Sequence, residues 1–306
     1  MASYRLVLVP LDGSAFAEQA LPLATEIARR TGAMLQLALV HHPVPALATA
    51  LEVPQIESQL DQEGRMNESN YLSGVVERVR STANVAVTSA LLDGPVAEAL
   101  EEQVSEAGAD LVVMTTHGRG ALSRFWLGSV ADHLMRHVHV PVLLIRPSGE
   151  AQPVSQLGKI LVTLDGSEFS ERAIESAVAL GEPFDAEYVL LMVLEPPYPV
   201  VDPNGLMVVP LDPEAERKLR ESAQRYLEGH AARLRQRGLE VGTQVADGLP
   251  VARTILAEAD RIKADLIAIA SHGVGGLERV VVGSVADKVV RGTTHPVLVV
   301  RPGETP

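Results

Sequence analysis

Two stretches of this sequence place glycine and serine where a phosphate group would need them. Thr115-Thr116-His117-Gly118 is followed by nine residues and then Gly128-Ser129. Ala270-Ser271-His272-Gly273 is followed by nine residues and then Gly283-Ser284. In each case an apolar, strand-like run leads into the loop, and a helical pattern opens at the serine. Glycine lets the backbone approach a ligand closely. A helix N-terminus adds unpaired N–H groups and a partial positive charge, and the serine adds a hydroxyl. Together these groups make a cradle for phosphate. Taken singly, the same residues serve ordinary turns and helix caps, so it is the recurrence of the whole spacing that points to binding. Asp12 and Asp165 recur as well, each before Gly-Ser at the end of the first strand-like run of its half. An aspartate there either ties the turn into the next helix or faces a ligand.

Other reactive groups form no comparable set. No Gly-Lys-Ser/Thr follows a glycine-rich loop, and no Gly-x-Gly-x-x-Gly follows the first strand, so neither common nucleotide fingerprint is present. His117 and His272 sit in the glycine loops and have the chemistry for acid–base work. Hydrolysis also needs an oriented water and usually a metal; no catalytic residue is assigned, and weak hydrolysis is the most this pattern supports. His133 and His137 lie four apart on a helical stretch, a spacing compatible with metal ligation. With no third ligand evident they read as a polar helix face, and no metal site is assigned. His41-His42 opens a loop and has no assigned role. The absence of cysteine excludes disulfides and thiolate chemistry.

The elements that must position these residues come twice. Leu8-Val9-Pro10-Leu11-Asp12-Gly13-Ser14 returns as Leu161-Val162-Thr163-Leu164-Asp165-Gly166-Ser167, and Pro141-Val142-Leu143 returns as Pro296-Val297-Leu298. The offset is 153 at Asp12 and 155 at Gly118 and Pro141, which marks a duplicated domain rather than a short-period solenoid. The two halves meet in a small, polar stretch, residues 148–156, giving domains 1–148 and 157–303. In the first half, strands are predicted over 4–11, 33–40, 85–91, 110–116 and 140–145. Helices are predicted over 14–30, 56–82, 96–107 and 129–137, with Pro22 either kinking the first or marking its later start. In the second half, strands are predicted over 159–164, 187–193, 240–245, 265–270 and 297–300, and helices over 170–180, 213–236, 251–262 and 284–291. Alternating strands and helices imply an α/β fold, a parallel sheet with helices on both faces. Ligands in such folds lie at the carboxyl ends of the strands, near the switch point.

Composition narrows the partners. The 306 residues carry 26 basic and 39 acidic side chains, a net charge of −13, and only 3% aromatics. That balance disfavours nucleic acid, which demands basic patches and stacking rings. No apolar run reaches the roughly 18–20 residues of a membrane span, and the first residues do not read as a signal peptide. The expectation is a cytoplasmic protein.

These motifs resemble those of the universal stress protein family, over nearly the whole chain and twice. The family's nucleotide-binding members share Gly-x-x-Gly, nine residues, then Gly-Ser/Thr. The first glycine of that pattern is Thr115 in one half and Ala270 in the other, which puts a β-carbon where the nucleotide would lie. The resemblance implies two Rossmann-like, adenine-nucleotide alpha-hydrolase-like domains. Each is a five-stranded parallel sheet sandwiched by helices, with strand order 3-2-1-4-5. It also implies an ATP site in each half, with Mg²⁺ arriving on the nucleotide. In the first, Pro10, Asp12 and Val40 match the adenosine contacts, Met114 and Thr115 the ribose region, and Gly118, Gly128, Ser129 and Val130 the phosphate contacts. Arg119 adds a charge toward the phosphates. In the second, the matching residues are Thr163, Asp165, Val193, Ile269, Ala270, Gly273, Gly283, Ser284 and Val285. Thr163 stands where proline is expected, and Val274 stands where Arg119 does. The resemblance further implies an intramolecular pseudo-dimer of the repeats through their last strands, and association between chains as a homo-oligomer. The functional expectation is an ATP-binding stress-response regulator or sensor. The alternatives are an interaction protein with vestigial sites and a slow ATPase.

Overall fold

A computed structural model describes residues 4–41, 54–116, 127–147, 155–195, 213–271 and 283–301, with side chains of the second helix described from residue 59. The chain divides into two compact units, Met1–Gln156 with Gly303–Pro306, and Leu157–Pro302.

In the first unit the strands are β1 (Leu6–Leu11), β2 (Met34–Val40), β3 (Val87–Leu92), β4 (Leu111–Thr115) and β5 (Val142–Ile145). The helices are α1 (Leu21–Thr31), α2 (Pro54–Thr82), α3 (Val96–Glu106) and α4 (Ser129–His137). The second unit repeats the order with β6 (Lys159–Leu164), α5 (Glu168–Gly181), β7 (Glu187–Leu194), α6 (Pro213–Gln236) and β8 (Val241–Asp247). It continues with α7 (Val251–Ile262), β9 (Leu266–Ala270), α8 (Ser284–Gly292) and β10 (Val297–Val300). The strand orders are β3-β2-β1-β4-β5 and β8-β7-β6-β9-β10, all pairs parallel. This is the expected 3-2-1-4-5 order, twice. Every residue of β1, β4 and β5 is buried, as the continuous apolar runs of a two-sided sheet require.

Local chemistry moves some boundaries. The helix expected from Ser14 begins as a 3-10 turn, Ala17–Ala20, and becomes α1 only at Leu21. Pro22 sits in the first turn of α1, where its missing N–H costs nothing. The Ser14 hydroxyl still accepts from the Ala17 amide at 3.1 Å. Gly32 ends α1 in the left-handed region, φ 73°, as a C-terminal glycine does. In the second unit α5 starts at Glu168, earlier than the expected 170, because Ser167 caps it by accepting from the Ser170 amide.

The sheet also opens at its carboxyl end for a reason legible in β1. The Leu6 carbonyl accepts from the Asp110 amide at 3.0 Å, so Leu6, Leu8 and Pro10 turn their backbone groups toward β4. Proline has no N–H to donate. The β1–β4 register accordingly covers Val7 and Leu8 only. In β6, with Thr163 in place of Pro10, pairing with β9 extends over Ile160, Leu161 and Val162. The opposite end is clamped alike in both units. The Asp110 carboxylate accepts from the Arg5 and Leu6 amides at 2.9 and 3.1 Å. Asp265 accepts from the Gly158 and Lys159 amides, both at 2.8 Å.

Candidate functional site

Each unit brings the end of its fourth strand, the start of its last helix and the end of its first strand to the switch point. In the first unit the Thr116 amide donates to the Ile145 carbonyl at 2.9 Å, which holds the end of β4 against β5. The Thr116 carbonyl accepts from the Gly128 amide at 2.8 Å, so the start of α4 is pinned to the end of β4. In the second unit Ser271 donates to Val300 at 2.8 Å, and its carbonyl accepts from the Gly283 amide.

The helices so placed carry no side-chain cap at Gly128 or Gly283. The first bonds within them run from Asp132 to the Gly128 carbonyl and from Asp287 to the Gly283 carbonyl, at 2.9 and 3.0 Å. The amides of Ser129, Val130 and Ala131 therefore have no acceptor within α4, and those of Ser284, Val285 and Ala286 have none within α8. Three converging donors at the positive end of a helix favour an anion.

The aspartates are partly committed to their turns. Asp12 accepts from the Ser14 amide at 2.9 Å. Asp165 accepts from the Ser167 amide at 2.9 Å and from the Ser167 hydroxyl at 2.6 Å. Pro10, Val40, Met114 and Thr115 are buried, as is Ile269, whereas Val193 and Ala270 are half-buried. Thr163 is buried without penalty, because its hydroxyl donates to the Ala268 carbonyl at 3.3 Å. Gly118, Arg119 and Gly273, with His117, His272 and Val274, lie outside the described residues.

Sequence reasoning missed a pair of tyrosines on the long helices. Tyr71 of α2 donates to Glu18 at 3.0 Å, and Tyr226 of α6 donates to Glu171 at 2.9 Å. Burial pushes both phenols well above their ordinary value. The glutamates add to this, and so do the charges of Asp12 on Tyr71 and Asp165 on Tyr226. Each pair thus stands within electrostatic reach of its site aspartate. The signal available in the sequence was the repeat itself, since both members return at offsets of 155 and 153. By contrast, the 340 Å³ hollow lined by Arg220, Gln224 and Thr243 lies between α6 and the outer strand β8, and holds none of the expected residues.

His41, just beyond β2, is only 3% exposed. Its Nδ1 meets Glu68 at 2.5 Å and its Nε2 meets Asp61 at 2.8 Å. Two carboxylates can both be satisfied only by an imidazolium, which has two N–H donors. The Asp61 hydrogen bond leads in raising the His41 pKa, against the opposing cost of burial. A raised folded value means that the stabilisation is complete below about 6.5, the ordinary histidine value. It is then lost as pH rises through the raised value. Urea titrations at stepped pH should show the first unit weakening across that window, and His41→Gln should flatten the dependence. A wild-type profile that rises with pH there would contradict this charge assignment.

The profile of the universal stress protein family matches residues 3–146 and again 157–301. The chain belongs to the universal stress protein family. Universal stress protein Rv2005c of Mycobacterium tuberculosis is 31% identical over 300 residues, covering 96% of each chain. The crystal structure of a universal stress protein from Archaeoglobus fulgidus covers 99% of this chain and 98% of its own. The two are 19% identical with a TM-score of 0.70, a likeness of fold. A universal stress protein solved in complex with cAMP covers 48% of this chain and all of its own, at 23% identity and a TM-score of 0.36. Among the described residues of this universal stress protein, no helix is long and apolar enough to cross a membrane.

Proposed function

We propose that this universal stress protein binds an adenine nucleotide, ATP with Mg²⁺, in one or both of its domains 1–148 and 157–303, and acts in the cytoplasm as a stress-response regulator or sensor. The observation that carries the reading is the matched pair of uncapped helix N-termini. Each is pinned by the same amide-to-carbonyl bond beside the end of the fourth strand. The phosphates would lie on the Ser129–Ala131 and Ser284–Ala286 amides, with the adenosine toward Pro10, Asp12 and Val40, or Thr163, Asp165 and Val193. Mg²⁺ would come with the nucleotide, as it usually does in such sites. Binding would stabilise the fold by mass action.

The test is mass spectrometry of nucleotide released from purified protein, followed by calorimetric titration with ATP, AMP and cAMP. With the second site blocked by Gly283→Asp, the first site should prefer ATP over AMP, because Arg119 adds charge there and Val274 adds none. Equal affinities would remove Arg119 from the argument. No released nucleotide and no thermal shift with MgATP would favour the second reading, an interaction protein with vestigial sites. Thr115 lends that reading its support: it is buried, with a β-carbon where the family pattern has glycine.

A further inference from the structure

We propose that Glu101, His133 and His137 form a binding site for a borderline transition-metal cation, Zn²⁺ being the best fit. His133 and His137 lie one and two turns along α4 from its free amides, and Glu101 reaches them from α3, which packs alongside. The Glu101 carboxylate meets His133 Nε2 at 2.7 Å. The two imidazoles stack with centroids 4.0 Å apart and planes 21° from parallel. Each residue offers one ligand atom within 4.8 Å of the other two, and all three are partly exposed. Tetrahedral zinc with bonds near 2.0–2.1 Å sets its donors roughly 3.3 Å apart, so a modest rotamer adjustment closes the set. The cation would replace the proton now shared by His133 and Glu101.

The tautomer of His137 is already set for ligation. Its Nδ1 lies 2.8 Å from the His133 carbonyl. A carbonyl only accepts, so Nδ1 carries the hydrogen, and in the neutral ring Nε2 is the nitrogen with the lone pair. Such an outer hydrogen bond is what orients most metal-binding histidines. His137 is also the last residue of α4, where the helix dipole favours a cation. Two nitrogens and one carboxylate suit zinc and its neighbours better than Mg²⁺ or Ca²⁺, which want oxygen. The fourth position is left to water.

The second repeat shows what this contact looks like without the site. Counted from the shared Gly-Ser-Val-Ala-Asp and from Val96/Val251, the corresponding residues are Leu256, Lys288 and Gly292. There the contact is apolar packing: a β-carbon added at Gly292 would lie 2.9 Å from Leu256 Cδ1. The neighbouring ion pair is kept in both copies, Asp132–Arg136 and Asp287–Arg291. The copies therefore agree on the structural pair beside the position and differ at all three ligands.

The experiment titrates Zn²⁺ into the full-length, tag-free protein against a metal-binding dye. One equivalent should bind, independently of nucleotide. His133→Gln, His137→Gln and Glu101→Gln should each lose at least about tenfold in affinity, since even outer-shell changes cost that much. His139→Gln, at an exposed histidine just past α4, should leave affinity unchanged. Circular dichroism of the apo variants separates loss of ligand from loss of fold. Unchanged affinity in the folded His137→Gln and Glu101→Gln proteins, or no binding by the wild type, would overturn the proposal.

Discussion

Gly128→Asp is expected to remove nucleotide binding from the first repeat while slightly strengthening the fold. Gly128 has φ −61° and ψ 149°, and Gly283 has φ −56° and ψ 143°. Any L-residue adopts these angles, so backbone conformation does not demand glycine here. What glycine does is leave the amides beyond it uncovered. Aspartate is among the best N-caps, and its carboxylate would accept from the Val130 or Ala131 amide. Cap and dipole together should add about 0.5 kcal/mol. The same carboxylate would repel the phosphates and occupy their donors. Losing two charge-assisted hydrogen bonds, each about 1.5–3 kcal/mol, weakens binding by at least about a hundredfold. Calorimetry with MgATP on Gly128→Asp, Gly283→Asp and the double variant, alongside melting curves, separates the two sites. Wild-type affinity in the double variant would mean that the phosphates bind elsewhere. A lowered melting temperature would mean that the glycines are needed for packing.

Much of the candidate site's framework was legible because its signals are local. Gly-Ser before a helix, aspartate before a turn and the nine-residue spacing all lie within short stretches. The duplication then separates shared features from those free to drift. Tyr71 and Glu18 are 53 residues apart and Glu101 and His133 are 32 apart, so no helical or strand period links them. Their contacts are set by which faces the helices turn toward each other. Asp12 and Asp165 show the opposite limit. Both readings of that position, turn and ligand, were written in the same three residues, and the structure commits one carboxylate oxygen of each to the turn.

The parallel α/β architecture was legible from uninterrupted apolar strands alternating with helices, whereas the 3-2-1-4-5 strand order was what the family resemblance implied. Element ends were harder, because they depend on single caps. The start of α5 comes two residues early at Glu168, capped by Ser167, and that of α1 comes seven residues late at Leu21, with Pro22 in its first turn. Volume exchange in the core was not legible at all, since it links residues on different elements. Tyr188 and Gly181 are the clearest case.

Gly181→Ala should destabilise the second unit, although alanine is ordinarily better than glycine in a helix by about 1 kcal/mol. A β-carbon at Gly181 would lie 2.5 Å from Ile160 Cδ1, 2.6 Å from the Tyr188 hydroxyl and 3.1 Å from Ala186 Cβ. Ile160 and Tyr188 are fully buried and have no solvent to retreat into. Overpacking of this kind costs about 1–3 kcal/mol, which outweighs the propensity gain. The first repeat solves the same volume differently. At an offset of 153, Ala28 stands for Gly181 and Leu35 for Tyr188, and both are buried. A large residue facing glycine in one copy thus matches a smaller residue facing alanine in the other. Tyr188→Leu alone should leave a cavity and also cost stability, in the range of about 2–4 kcal/mol for a large-to-small core change. Gly181→Ala with Tyr188→Leu recreates the first repeat's pair, so the double variant should be more stable than the sum of the single losses predicts. A coupling of about 0.5–3 kcal/mol is typical of residues in contact. Urea denaturation of the four proteins measures it. Additive losses would show that the two positions do not share one volume and that the likeness to Ala28 and Leu35 is incidental.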